Sequence, residues 1–181
     1  FHRGDVKDIE SLKTVSSEKV NLPHDYLISQ NWVAPDASER PDNSDAGSNV
    51  RSRLSPRGFK EMGIGWYRYE LTPKEEWKGK RVVLDFQGIM LVGDVFLNGK
   101  RIGGTDYGYV GFDVDISKEL KFGEVNEIAV KANTQAPNNS RWYTGGGLYR
   151  DVNLIVTDKD LYFPRHPLFI RTVNNNEVKI K

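Results

Sequence analysis

The chain has 181 residues, and its 26 basic side chains against 25 acidic ones leave a formal net charge of +1. That balance, with the basic residues dispersed along the chain, provides no field or stripe to draw in nucleic acid or an anionic membrane. With no cysteine there is no disulfide, thiolate metal site or cysteine nucleophile, and no apolar run approaches the length of a membrane span.

In chain order, the opening Phe1-His2-Arg3-Gly4-Asp5 lacks a methionine and a signal peptide, and reads as a processed or trimmed start. From Ala34 to Gly58 the chain is almost wholly polar and carries Pro35, Pro41 and Pro56. So few apolar residues do not offset the entropy of ordering, so a functional or mobile loop is expected there. Trp66 to Leu71 is rich in aromatics that suit a pleated surface. Lys74 to Trp77 predicts a single helical turn. Val82, Leu84 and Phe86 alternate against Val83 and Asp85, the period of a half-buried strand. Val95-Phe96-Leu97 and Lys100-Arg101-Ile102 flank Asn98-Gly99, which predicts a hairpin because both turn positions need positive φ. Phe112 to Ile116 is a clean alternation, and Ser117 to Leu120 predicts one more turn, capped by Ser117. Ile128, Val130 and Ala132 form another strand face, and Val152, Leu154 and Val156 one more. About eight short strands with regular turn signals predict an all-β fold, a jelly-roll β-sandwich. After Val156 the pattern is interrupted by Asp158-Lys159-Asp160. The remaining alternations, Leu168/Ile170 and Val178/Ile180, are too short to bury a core of their own.

Several stretches occur in an order that resembles one family. They are Asn21-Leu22-Pro23-His24-Asp25-Tyr26, Gly65-Trp66-Tyr67-Arg68, Phe86-Gln87-Gly88, Val95 to Gly99, and Ser140 to Arg150. Together they resemble the N-terminal sugar-binding domain of glycoside hydrolase family 2, the β-galactosidases and β-glucuronidases. Phe1 to Asp5 is similar to that family's first strand, entered partway. The resemblance implies a galactose-binding-domain-like jelly roll over residues 1–157. Residues 158–181 would then be a linker and the truncated start of an immunoglobulin-like domain. It also implies a (β/α)₈ barrel elsewhere in the parent, carrying the two glutamates of a retaining mechanism. The partners implied are a β-linked glycoside and the following domains of the same chain. A periplasmic or secreted parent is preferred to a cytoplasmic one.

No residue here is expected to be catalytic. A retaining glycosidase places two carboxyls about 5–5.5 Å apart across the scissile bond. Asp113 and Asp115 share one strand face, but residues two apart on a strand do not face each other across a sugar, so a solvated face is expected. His24-Asp25 has no nucleophile elbow to serve, and is expected to satisfy local backbone groups at a strand end. His2, His24 and His166 are dispersed and no cluster has ligand spacing, so neither metal nor cofactor is expected. Gly145-Gly146-Gly147 lacks the Lys-Ser/Thr sequel of a phosphate loop.

The candidate substrate-binding residues are Arg141, Trp142 and Tyr143. Sugars are held by aromatic faces against C–H surfaces and by planar donors against hydroxyl pairs, and this segment offers both beside glycines. The resemblance implies that its loop reaches towards the barrel's active site. Some members carry an acidic residue where Arg141 stands, a departure that bears on which sugar is read. The alternatives are a stand-alone carbohydrate-binding module, marked by an exposed aromatic platform, and a structural or adhesive β-sandwich.

Overall fold

The computed structural model describes residues 1–33, 60–135, 143–165, 168, 170–174 and 177–180. The polar segment from Ala34 to Gly58 lies outside the described residues, and so do Arg141 and Trp142.

Eight strands build the sandwich: β1 (His2–Arg3), β2 (Ile64–Leu71), β3 (Arg81–Phe86), β4 (Val92–Leu97), β5 (Lys100–Thr105), β6 (Phe112–Asp115), β7 (Asn126–Asn133) and β8 (Val152–Thr157). A five-stranded antiparallel sheet runs in the order β1-β2-β7-β4-β5, and a three-stranded sheet runs β6-β3-β8. From β2 onwards the chain changes sheet at almost every connection, and only β4 and β5 are joined within one. There the predicted hairpin forms, with Asn98 at φ 49° and Gly99 at φ 83°.

Alternation dictates the core. Tyr67, Leu71, Val95, Leu97, Ile128 and Val130 face inwards from the large sheet, and Val82, Leu84, Phe86, Val114 and Ile116 from the small one. Phe86 and Phe112 are cross-strand partners and stack at 5.0 Å. Between the sheets, on the flank of β2 and β8, the core opens into a cleft of about 910 Å³ lined by Tyr67, Leu71, Leu84, Phe86, Val130 and Leu154. There β1 pairs only with Gly65 and Trp66, and β8 has β3 as its one partner among the described residues.

Two local expectations are corrected. β3 is buried on both faces rather than half-buried, at Asp85 under Arg165 from the segment after β8. Ser117 does not cap a turn: its hydroxyl accepts from Val82 N at 2.8 Å and bonds Asp115, tying β6 to β3. Phe1 to Asp5 contributes the expected first strand, two residues long. An element without forewarning follows it, a 3-10 turn over Ile9–Lys13 capped by Asp8, whose Oδ1 accepts from Ser11 N at 2.9 Å. Leu12 and Ile9 of this turn pack with Trp66, Ala129 and Phe96 on the outer face of the large sheet.

After β8 the chain returns across the small sheet. The Arg81 guanidinium stacks on Tyr162 at 4.2 Å, and Arg165 reaches Asp85, Asp113 and Gln87. Beyond it, β9 (Ile170–Asn174) and β10 (Glu177–Ile180) pair as a separate two-stranded sheet, where the sequence shows its last two alternations.

Candidate functional site

The candidate loop leaves the undescribed stretch at Tyr143 and enters a glycine run that is stitched to residues 24–27. His24 N donates to Leu148 O at 2.7 Å and Tyr26 N to Gly146 O at 3.0 Å, a short ladder between segments more than a hundred residues apart. On the other side, Met90 and Gly147 exchange both backbone hydrogen bonds, at 2.9 and 2.8 Å. Gly147 sits at φ 99°, and a Cβ there would run into the Tyr67 hydroxyl. Only glycine satisfies both the backbone and that approach.

Several polar side chains hold this junction. The Tyr67 hydroxyl lies 2.9 Å from His24 Nδ1 and accepts from Leu148 N at 3.3 Å. Burial pushes the Tyr67 phenol up and holds His24 below its ordinary value, which keeps the imidazole neutral. A neutral imidazole bonds the Tyr67 hydroxyl through Nδ1, and that hydroxyl also lies 3.3 Å from His24 O. The fully buried Tyr26 hydroxyl donates to Gly63 O at 2.9 Å and lies 3.2 Å from Thr134 Oγ1. Asp25 uses its whole carboxylate: Oδ1 accepts from Leu27 N at 3.0 Å and Gly146 N at 2.8 Å, while Oδ2 accepts from the Tyr143 hydroxyl at 2.8 Å.

Of the predicted site residues, Tyr143 is therefore placed: its ring is 45% exposed and its hydroxyl is anchored. His24 and Asp25 serve neighbouring groups from the stretch just ahead of the turn at 26–29, and their partners include two tyrosines as well as backbone. Tyr107 and Tyr109 are exposed on the β5–β6 connection with rings 5.7 Å apart. That loop adjoins the glycine run, since the Tyr149 hydroxyl donates to Gly108 O at 2.8 Å.

A second polar constellation invites a catalytic reading and fails it. Asp85 and Asp113 are direct cross-strand partners, which makes their two carboxylates neighbours on one face of the small sheet. The Arg165 guanidinium spans them, meeting Asp113 Oδ1 at 3.0 Å and making an ion pair with Asp85. Gln87 and Asn153 donate to Asp85 Oδ2 at 2.5 and 3.1 Å. No sugar fits between carboxylates bridged in this way, and the arrangement neutralises a like-charge pair on adjacent strands. It also explains why β3 is covered on its outer face at Asp85. Asp115 is engaged as well, by Arg81 at 3.3 Å, so the exposed face the sequence predicts is also ion-paired.

Residues 64–153, from β2 into β8, match the family described as glycosyl hydrolase 2 galactose-binding domain-like. The chain belongs to this family. A glycosyl hydrolase family 2 member from Bacteroides cellulosilyticus superposes with a TM-score of 0.74 at 32% identity, covering 96% of this chain and 21% of that one. A β-galactosidase of Bacteroides ovatus is 33% identical over 138 residues, 76% of this chain and 14% of that protein. A β-glucuronidase of Bacteroides fragilis is 37% identical over 121 residues, 64% of this chain and 17% of that protein. The chain thus spans between about one seventh and one fifth of these glycosidases, as their N-terminal galactose-binding-like β-sandwich.

The turn at Ile9–Lys13, the Arg165 clasp and the His24–Tyr67 pair escape sequence reasoning. Asp8, three residues ahead of Ser11, was the legible signal for the first; the other two depend on contacts far apart in the chain.

Proposed function

We propose that this domain is the non-catalytic sugar-pocket wall of a retaining family 2 glycosidase acting on a β-linked glycoside, with hydrolysis performed elsewhere in the parent chain. The observation that carries this reading is the anchored loop at Tyr143, which presents a half-exposed aromatic ring beside a glycine run locked to the sandwich. An aromatic face and the adjoining Arg141 and Trp142 match what sugar C–H surfaces and hydroxyl pairs require. The engagement of Asp85 and Asp113 by Arg165 supports a non-catalytic role for this cross-strand carboxylate pair, and the other such pair among the described strands, Glu70 and Glu127, is likewise engaged by Arg68. A bracing role is supported by Leu161 and Phe163, each 85% exposed on the segment that leads out of the sandwich. Residues 158–181 are then the linker and the first strands of the next domain.

The test is kinetic. Arg141→Ala or Tyr143→Ala in the full-length parent should lower kcat/KM roughly tenfold or more, with the melting temperature held. Reduced stability with unchanged kinetics would return these residues to the scaffold. A second reading, the stand-alone carbohydrate-binding module, is favoured by the exposed Tyr107–Tyr109 pair. It requires the isolated chain to bind oligosaccharide and to lose that binding in Tyr107→Ala.

A further inference from the structure

We propose that Asp25 is a positioning residue for the sugar pocket: it holds the Tyr143 ring in one orientation on the pocket wall. This role rests on the reading of the Tyr143 loop given above.

The two oxygens of Asp25 have different tasks. Oδ1 accepts from the backbone of Leu27 and of Gly146, and so closes the turn and joins it to the glycine run. Those bonds serve the fold. Oδ2 accepts from the Tyr143 hydroxyl, across 118 residues of sequence. Tyr143 is 45% exposed and belongs to neither core cluster, so the sandwich does not need that bond to fold. A surface tyrosine ordinarily gives its proton to water, and its ring is free to change rotamer. A charge-assisted bond to a carboxylate, itself held by two backbone amides, removes that freedom. The platform on which Asp25 rests is rigid in turn. Tyr26 and His24, its chain neighbours, are fixed by the ladder to Gly146 and Leu148 and by the hydroxyl bonds of Tyr26 and Tyr67. A binding wall gains affinity when its aromatic face is ordered before the ligand arrives. The chain from Asp25 to Tyr143 supplies that order through one oxygen the fold leaves spare.

The experiment uses the full-length parent with a chromogenic β-glycoside, and the present chain for titration. Tyr143→Phe keeps the ring and removes the anchor; Asp25→Asn keeps the shape and removes the charge. Each should raise KM several-fold to about tenfold, and the double variant should be no worse than the weaker single. A wild-type KM in Tyr143→Phe overturns the role without recourse to any Asp25 variant. Multiplying effects in the double variant overturn it as well, since the two groups would then act separately. In the isolated chain, the ultraviolet titration of Tyr143, taken as wild type minus Tyr143→Phe, should lie above the ordinary tyrosine value, because burial and the Asp25 carboxylate both hold the proton on. It should move down in Asp25→Asn. A titration that stays put refutes the role alone. A titration that moves while neither variant changes KM refutes the pocket-wall reading and this role with it.

Discussion

Two irregular segments are fastened to the same sandwich by opposite means. At the loop end, residues 143–148 are held to residues 24–27 by backbone hydrogen bonds, the Asp25 carboxylate, the hydroxyls of Tyr67 and Tyr143, and a glycine that admits no Cβ. On the outer face of the small sheet, residues 158–165 are held by an arginine set between two aspartates and by a second arginine stacked on Tyr162. The first fastening is distributed and partly steric, with one carboxylate, Asp25, among neutral partners. Its strength comes from many groups, each satisfied by another. The second gathers its strength at one side chain. A junction of the first kind suits a surface that must keep one shape; a clasp of the second kind suits a segment that leads from one unit to another.

The sharpest way to break this comparison is Arg165→Ala. It leaves Asp85 buried without its cation, and breaking a buried pair is strongly destabilising. Because the Arg165 side chain is 21% exposed, we expect about 2–4 kcal/mol, the lower part of the range for such pairs, read from urea unfolding. Replacing both partners, Asp85→Asn with Arg165→Met, should recover at least half of that loss. No recovery would mean that Arg165 acts through Asp113 rather than Asp85.

Next in size is Gly147→Ala. The positive φ and the approach of the Tyr67 hydroxyl should together cost about 2–3 kcal/mol, with the melting temperature as the measure. A near-neutral result would show that the glycine run yields, contrary to a steric fastening. Tyr26→Phe removes one buried hydroxyl and leaves Gly63 O with Thr134 as its remaining donor. The expected loss is about 1–2 kcal/mol. It should be smaller than that of Arg165→Ala, as befits a network with redundancy.

The smallest effect concerns pH. His24 is held below its ordinary value in the folded chain, so the unfolded chain takes up the proton first as pH falls. Its contribution to stability is complete above about pH 6.5 and is lost as pH drops from there through the lower folded value. Melting curves of wild type and His24→Gln across that window should diverge at neutral pH and converge in acid. Parallel curves would remove His24 from the loop junction.

Much of this fold was legible along the chain. The alternations at 82–86, 112–116, 128–132 and 152–156 became β3, β6, β7 and β8, and Asn98-Gly99 became the hairpin turn, because a period of two and a pair of positive φ angles are local properties. The motifs from Asn21 to Arg150 were enough to indicate family 2, since they are themselves read in order along the sequence. The site was legible only in part. Tyr143 was singled out by composition, but nothing near it in sequence announces Asp25 as its partner, and Arg141 and Trp142 lie outside the described residues.

What the sequence by itself determined, then, is where strands start and turn, which side chains face inwards, and that a glycine run with aromatic and basic neighbours sits between β7 and β8. Only the tertiary structure decided that Asp85 and Asp113 are a clasped pair, and that the segment after β8 doubles back over the small sheet. It also decided that the carboxylate of Asp25 ends on a tyrosine 118 positions away. The physical reason is the same in each case. Backbone preference and alternation act over a few residues, whereas a buried charge or a spare carboxylate oxygen finds its partner only after the strands between them have packed.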